Sequence, residues 1–226
     1  MFSDKNVGIV VSARMGSSRL PGKSLLPFGD VPLVVYLLRR LRSIGSPFRL
    51  ILATTELPQD DVLARTVSGF GFDVFRGHPT DLVSRYFEVI KHFDLSHVVR
   101  VTGDCPFVDY ALALQFIEYA LPRLSSYSLV STKGSYPVGL DFEIFSRLSL
   151  FRLANSFHLD SHEREHLTLG FYLNLPSEVL FAPTPYPSFG CTHLPSFTID
   201  TPMDYEFALR LISRYPDSFP AECLFN

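Results

Sequence analysis

The chain has no tryptophan and only three cysteines, at positions 105, 191 and 223. So few thiols, with no C-x-x-C pair, exclude a disulfide framework and fit a reducing compartment. No uninterrupted apolar run approaches the roughly 20 residues needed to cross a bilayer. The opening segment MFSDKNVGIVV lacks the basic stretch and small-residue cleavage site of a secretory signal. A cytoplasmic protein with no membrane partner is therefore expected. A basic excess is also missing: 20 Lys and Arg against 23 Asp and Glu leave a net charge of -3. That balance argues against general nucleic-acid binding, which needs a broadly positive face. No linker composition and no internal repeat divides the 226 residues, so one domain, 1–226, is expected.

What is present is an alternation of two periods. VGIVVSA (7–13), FRLILATT (48–55), FDVFRG (72–77) and HVVRVTGD (97–104) read as strands, several of them apolar on both faces. Between them VPLVVYLLRRLRSI (31–44) sets Leu33, Leu37, Leu41 and Ile44 on one helical stripe. PQDDVLARTVSGF and PTDLVSRYFEVIKHF each open on a proline beside acidic residues, as helices do. This rhythm predicts a mostly parallel sheet covered by helices on both sides. Later segments read as a helix from Tyr110 to Leu124, a strand YSLVST and an irregular KGSYPVGLDFEIFS. A helical stretch then runs from about Ser146 to Leu175, followed by a Pro-rich section (182–195), a strand SFTID and a closing helix MDYEFALRLISRY.

In sheets of this kind ligands sit beyond the carboxyl ends of the strands, which directs attention to SARMGSSRLPGKS after the first strand. From Lys5 to Gly29 there is no acidic residue, while Lys5, Arg14, Arg19 and Lys23 are cationic. Gly16 and Gly22 permit close backbone approach, Ser17 and Ser18 add hydroxyls, and Pro21-Gly22 suits a tight turn. Arginine forks and a lysine point charge are the usual grip on phosphate oxygens. A Walker loop is excluded because five residues, not four, separate the glycines. Pro27 and Gly29 also prevent GKS from opening a long helix. On residues alone, a solvated basic loop stays open.

ARMGSSRLPGKSLLPFGDVPLV resembles the A-R-x-G-S-x-R-L-P-G-K signature of sugar cytidylyltransferases, nearest to the spore-coat polysaccharide protein F branch. The similarity continues in order through ATTELPQDDVL, VFRGHPTDLVSRY, VVRVTGDCPFVD, YPVGLDFE, SHEREHLT and FTIDTPMDYEFA. The resemblance implies a three-layer α/β sandwich of the nucleotide-diphospho-sugar-transferase type. It further implies transfer of CMP from CTP to a sugar acid or related sugar or polyol acceptor, with release of pyrophosphate, and a homodimer. Arg14, Arg19, Lys23 and Asp104 would be catalytic. Ser12, Ala13, Gly16, Ser17 and Thr54 would join them in holding the nucleotide, and Asp104 and Asp200 would hold Mg2+. Asp141, Glu143, Arg164 and His166 would face the acceptor.

Taken without the resemblance, Asp104 also suits a loop cap before Pro106, and Asp200 a helix cap before Thr201. Val138 stands where the family segment often carries aspartate. That departure leaves open a nucleotide-sugar binding protein without turnover, or a glycosyltransferase-like relative of the same fold. HEREH (162–166) satisfies the zinc-protease pattern H-E-x-x-H, with His158 one turn earlier and CTH (191–193) as a further source of ligands. The family's own EREH segment accounts for it without zinc.

Overall fold

The computed structural model of the chain describes residues 6–42, 47–184 and 196–215. Lys5, Ile44, Cys191, Cys223, the CTH segment and most of the Pro-rich section lie outside them. The chain opens with β1 (Val7–Ser12), whose residues are almost all buried because both faces are covered. A small hairpin of β2 (Pro27–Phe28) and β3 (Val31–Pro32) then leads into α1 (Leu33–Leu41). β4 (Arg49–Thr55), α2 (Asp61–Gly69), β5 (Asp73–Gly77), α3 (Leu82–His92), β6 (His97–Thr102) and α4 (Tyr110–Ala120) continue the alternation. β7 (Leu129–Ser131) and β8 (Glu143–Ser146) follow, then α5 (Arg147–Ser156), α6 (Ser161–Glu165), α7 (Leu169–Asn174), β9 (Val179–Phe181) and α8 (Pro202–Arg214).

Seven strands form one sheet in the order β5-β4-β1-β6-β8-β7-β9. β1 lies parallel between β4 and β6, and β5 is parallel to β4. β8 runs antiparallel to both β6 and β7. Successive side chains of β1 point to opposite faces. Val7, Ile9 and Val11 enter one core with residues of α1, α2, α4 and α8, while Val10 enters a second core with α3, α5 and α7. Three layers result, as the alternation predicts.

Several elements differ from expectation, each for a local reason. Pro122 ends α4 at Ala120, and the chain continues as a 3-10 turn from Leu121 to Ser125. The expected long helix from 146 to 175 is three short ones, because Asp160 caps a new helix with a reciprocal capping box to Glu163. EIFS, read as irregular, is the antiparallel strand β8. β9 was not anticipated, since VLF is too short to show a period. SFTID joins no ladder and runs across the loops at the strand ends instead. There Phe197 N–H donates to Val138 O at 2.8 Å and Ile199 N–H to Asp104 O at 2.8 Å.

Candidate active site

β1 delivers the glycine loop to the carboxyl edge of the sheet. Leu20-Pro21-Gly22-Lys23 closes a type II turn, with Lys23 N–H donating to Leu20 O at 3.2 Å and Gly22 at φ 69°. The turn aims the lysine back over the strand ends. Met15 N–H donating to Asp60 Oδ1 at 2.6 Å and Ser24 Oγ donating to Arg14 O at 3.2 Å hold the loop down. A helix of any length does not follow: Lys23–Leu25 is a single 3-10 turn.

The loop forms one wall of a cleft of about 350 Å³. Ser12, Ala13, Arg14, Gly16, Ser17, Arg19, Lys23, Asp104, Asp200 and His166, all named from sequence, line it together. Arg85 and Arg100, not named from sequence, bring its cations to five against three carboxylates, a lining suited to a polyanion. Gly103 lets the loops after β1 and β6 meet, since an added Cβ would lie 2.7 Å from Ala13 Cβ. Asp104 therefore stands directly across from the glycine loop.

Lys23 Nζ donates to Asp104 Oδ2 at 2.8 Å, to Asp200 Oδ1 at 2.9 Å and to the carbonyl of Ile199 at 2.9 Å. Burial disfavours the ammonium, but Asp104 and Asp200 outweigh it and raise the Lys23 pKa. Burial likewise opposes ionisation of Asp104, and Lys23 overrides it, holding that carboxyl below its usual range. Arg19, 64% exposed, reaches the same Asp200 oxygen at 3.1 Å. Arg14 pairs with Glu165 at 3.2 Å. Asp204 fixes the backbone under Asp200 by accepting from the N–H groups of Asp200 and Thr201 at 3.0 and 2.8 Å.

Two carboxylate oxygens converging on one point within 2.9 Å of it are hard donors. They are few enough to leave room for phosphate and water ligands, which is the donor set Mg2+ takes. The residues therefore fit the ion.

A second cavity of about 300 Å³ adjoins the cleft and shares Arg100 and His166 with it. Lys133, His162, Thr168, Leu169 and Tyr172 complete its lining, which contains no acidic side chain. Beneath it the buried carboxylate of Glu143 accepts from Arg100 at 2.5 Å, Lys133 at 2.9 Å, Tyr172 at 2.7 Å and Thr168 at 2.9 Å. Burial works against its charge, but Arg100 and Lys133 prevail and keep it below the ordinary glutamate value.

Four expectations change here. Thr54 is 0% exposed, enclosed because β4 has neighbours on both sides, and it lines neither cavity. Glu143 lies beneath the second cavity with its oxygens engaged by Arg100, Lys133, Tyr172 and Thr168, and it lines neither cavity. Asp141 accepts from Gly139 N–H at 3.0 Å and lines neither cavity; its burial pushes its pKa up. Arg164 donates to Asp81 at 2.8 Å, tying α6 to the cap of α3.

The H-E-x-x-H pattern does not build a metal site. α6 has five residues, and His158 precedes it instead of lying one turn earlier on it. The Glu163 carboxylate accepts from Asp160 N–H at 3.0 Å and from Asn174 at 2.6 Å, so it is no free base. Among the described residues no group of three or more His, Cys, Asp or Glu is placed to hold a metal ion. Sequence reading missed Arg100, Lys133, Tyr172 and Arg85. Only Arg100 left a signal, as a charge interrupting the strand HVVRVT.

A mostly parallel sandwich with a basic glycine loop and two carboxylates at its strand ends is the architecture of a nucleotidyltransferase. Comparison with known proteins sharpens this. A cytidylyltransferase family model matches residues 8–221. The chain is 33% identical over 209 residues to the spore coat polysaccharide biosynthesis protein SpsF of Bacillus subtilis strain 168, covering 87% of this chain and 82% of that one. It superposes on a cytidylyltransferase structure from Leptospira borgpetersenii with TM-score 0.88 and 31% identity, covering 97% and 92% of the two chains. A CMP:2-keto-3-deoxy-manno-octonic acid synthetase complexed with CTP shares the fold, with TM-score 0.71 at 17% identity, covering 92% and 99%. The chain belongs to the cytidylyltransferase family.

Proposed function

We propose that the cleft binds CTP with Mg2+ and that the adjoining cavity binds a sugar acid or related sugar acceptor, whose oxygen attacks the α-phosphorus. The observation that carries this reading is the pair of abutting cavities, with Arg100 and His166 at their junction. A 3-deoxy-manno-octulosonate cytidylyltransferase of Agrobacterium fabrum, 33% identical over 107 residues that cover 45% of this chain and 41% of that one, supports an acidic sugar as acceptor. The cationic lining of the smaller cavity supports it independently.

Arg14, Arg19 and Lys23 orient the triphosphate and take up charge as it develops on the leaving pyrophosphate. Arg100 and Lys133 steer the acceptor's anionic group, and His166, which lines both cavities, is the group assigned to receive the hydroxyl proton. Asp104 and Asp200 would hold Mg2+, which supplies further neutralisation of the phosphates. Val138 is exposed and its side chain lines neither cavity, while its carbonyl accepts from Phe197 N–H at 2.8 Å.

The reading also includes a homodimer and a cytoplasmic reaction. An exposed apolar surface at Leu148 and Phe151 supports the former, and a free buried thiol at Cys105 supports the latter. No helix among the described residues is long and apolar enough to cross a membrane.

Pyrophosphate release, measured across the four nucleoside triphosphates with a panel of sugar acids and phosphorylated polyols, tests the assignment. Release is expected with CTP and an acidic acceptor. Asp104→Asn should cut turnover by about two orders of magnitude. CTP binding without release for any acceptor would instead favour a binding protein.

A further inference from the structure

Lys23 occupies the point on which the two carboxylates converge. Its three contacts, two carboxylate oxygens and one carbonyl at 2.8–2.9 Å, use all three ammonium protons. The Ile199 N–H to Asp104 O bond closes the arrangement from behind. A magnesium ion approaches its ligands to about 2.0–2.1 Å, so it cannot share that position with an ammonium. Metal entry therefore requires Lys23 to leave, and a departing lysine needs other acceptors. Its own loop offers no carboxylate, since residues 5–29 contain no acid. The cleft in front of it presents Arg14, Arg19, Arg85 and Arg100, and its one further carboxylate, Glu165, is already paired with Arg14 at 3.2 Å. An anion arriving in the cleft is what can accept the lysine.

We infer that Lys23 is an interlock: it keeps the carboxylate pair closed to divalent ions until a triphosphate draws it away. Nucleotide and metal then bind with strong positive coupling, and metal alone is excluded. By linkage the coupling is reciprocal, so the ion strengthens nucleotide binding by the same factor that nucleotide strengthens binding of the ion. This inference rests on the assignment of Asp104 and Asp200 as metal ligands. It adds a second role to Lys23, effective before any chemistry and visible without turnover.

The test is equilibrium Mn2+ binding to the whole protein, read from the electron paramagnetic resonance signal of free Mn2+. Four samples are compared without nucleotide: wild type, Lys23→Met, Lys23→Gln in case the methionine variant fails to fold, and Lys23→Met/Asp104→Asn. The neutral variants should bind one Mn2+ at least tenfold tighter than wild type, and the double variant should lose that site. A neutral variant that binds no tighter than wild type overturns the interlock. Wild type and Asp104→Asn are then measured with α,β-methylene-CTP. Mn2+ held by the wild-type complex and lost from Asp104→Asn keeps the metal assignment standing even if the interlock falls. No difference between those two complexes overturns both.

Discussion

At Glu143 a single carboxylate holds two cations, a tyrosine and a threonine beneath the smaller cavity. Removing one member of a buried charge pair usually costs about 3–5 kcal/mol, because the partner is left uncompensated. Glu143→Gln should approach that range by denaturant titration, with Arg100 as the stranded charge; Lys133 is half exposed and can turn to water. Asp141→Asn should behave oppositely. Asparagine keeps an oxygen for the Gly139 N–H and removes a charge that burial disfavours, so stability is retained or increased. Two acids two positions apart thus have opposite consequences, although DFE in the sequence does not distinguish them. Burial and partner geometry make the difference. The same limit explains why Lys133 and Tyr172 were missed: their chemistry exists only once β8, α7 and the 133–136 turn are assembled.

Among the elements, the segment 196–200 is the most consequential departure from expectation. SFTID has the pattern of a strand, yet its backbone bonds go to the loops at Val138 and Asp104, not to a sheet neighbour. Gly139 makes this possible, at φ 89° and with its Cα so close that an added Cβ would lie 2.5 Å from the Phe197 carbonyl carbon. Gly139→Ala combines left-handed strain of about 1–3 kcal/mol with a push on the segment carrying Asp200. A fall in melting temperature is expected together with at least a tenfold fall in kcat/KM, although residue 139 lines neither cavity. Wild-type kinetics in a folded Gly139→Ala protein would show that the clamp does not position Asp200. By contrast, β1, β4, β5 and β6 were legible to within a residue or two. Buried parallel strands announce themselves as apolar runs, and the glycine loop is contiguous in sequence. A clamp between residues 139 and 197 leaves no periodic trace.

For the whole molecule, the charged groups set a pH window. Asp104 and Glu143 have depressed pKa values, so their contribution is present above the ordinary values of 3.8 and 4.5 and is lost as pH falls through the lower folded values. Lys23 is raised, so its contribution is present below 10.5 and is lost as pH rises through its higher folded value. Melting temperature in the absence of ligand should therefore hold through neutral pH and drop below about pH 4 and again above about pH 9, where burial holds the Cys105 thiol and, from about pH 10, the Tyr86 and Tyr172 phenols protonated in the fold while the unfolded chain ionises them. Lys23→Met should remove only the share of that alkaline loss that begins near pH 10.5. The three-layer sandwich tolerates such a ring of charges because it sits at the strand ends, outside both apolar cores.

Lys23 and the two carboxylates that meet at its ammonium come from positions 23, 104 and 200. A growing polypeptide presents the first two early and the last about a hundred residues later, a delay of roughly 5–20 s at ordinary rates of translation. During that interval β1, β4, β5 and β6 can already pair, but the lysine has only one of its two carboxylates. Completion of the site thus waits for residue 200, and nascent chains stalled before it should fold a sheet without acquiring the finished charge cluster.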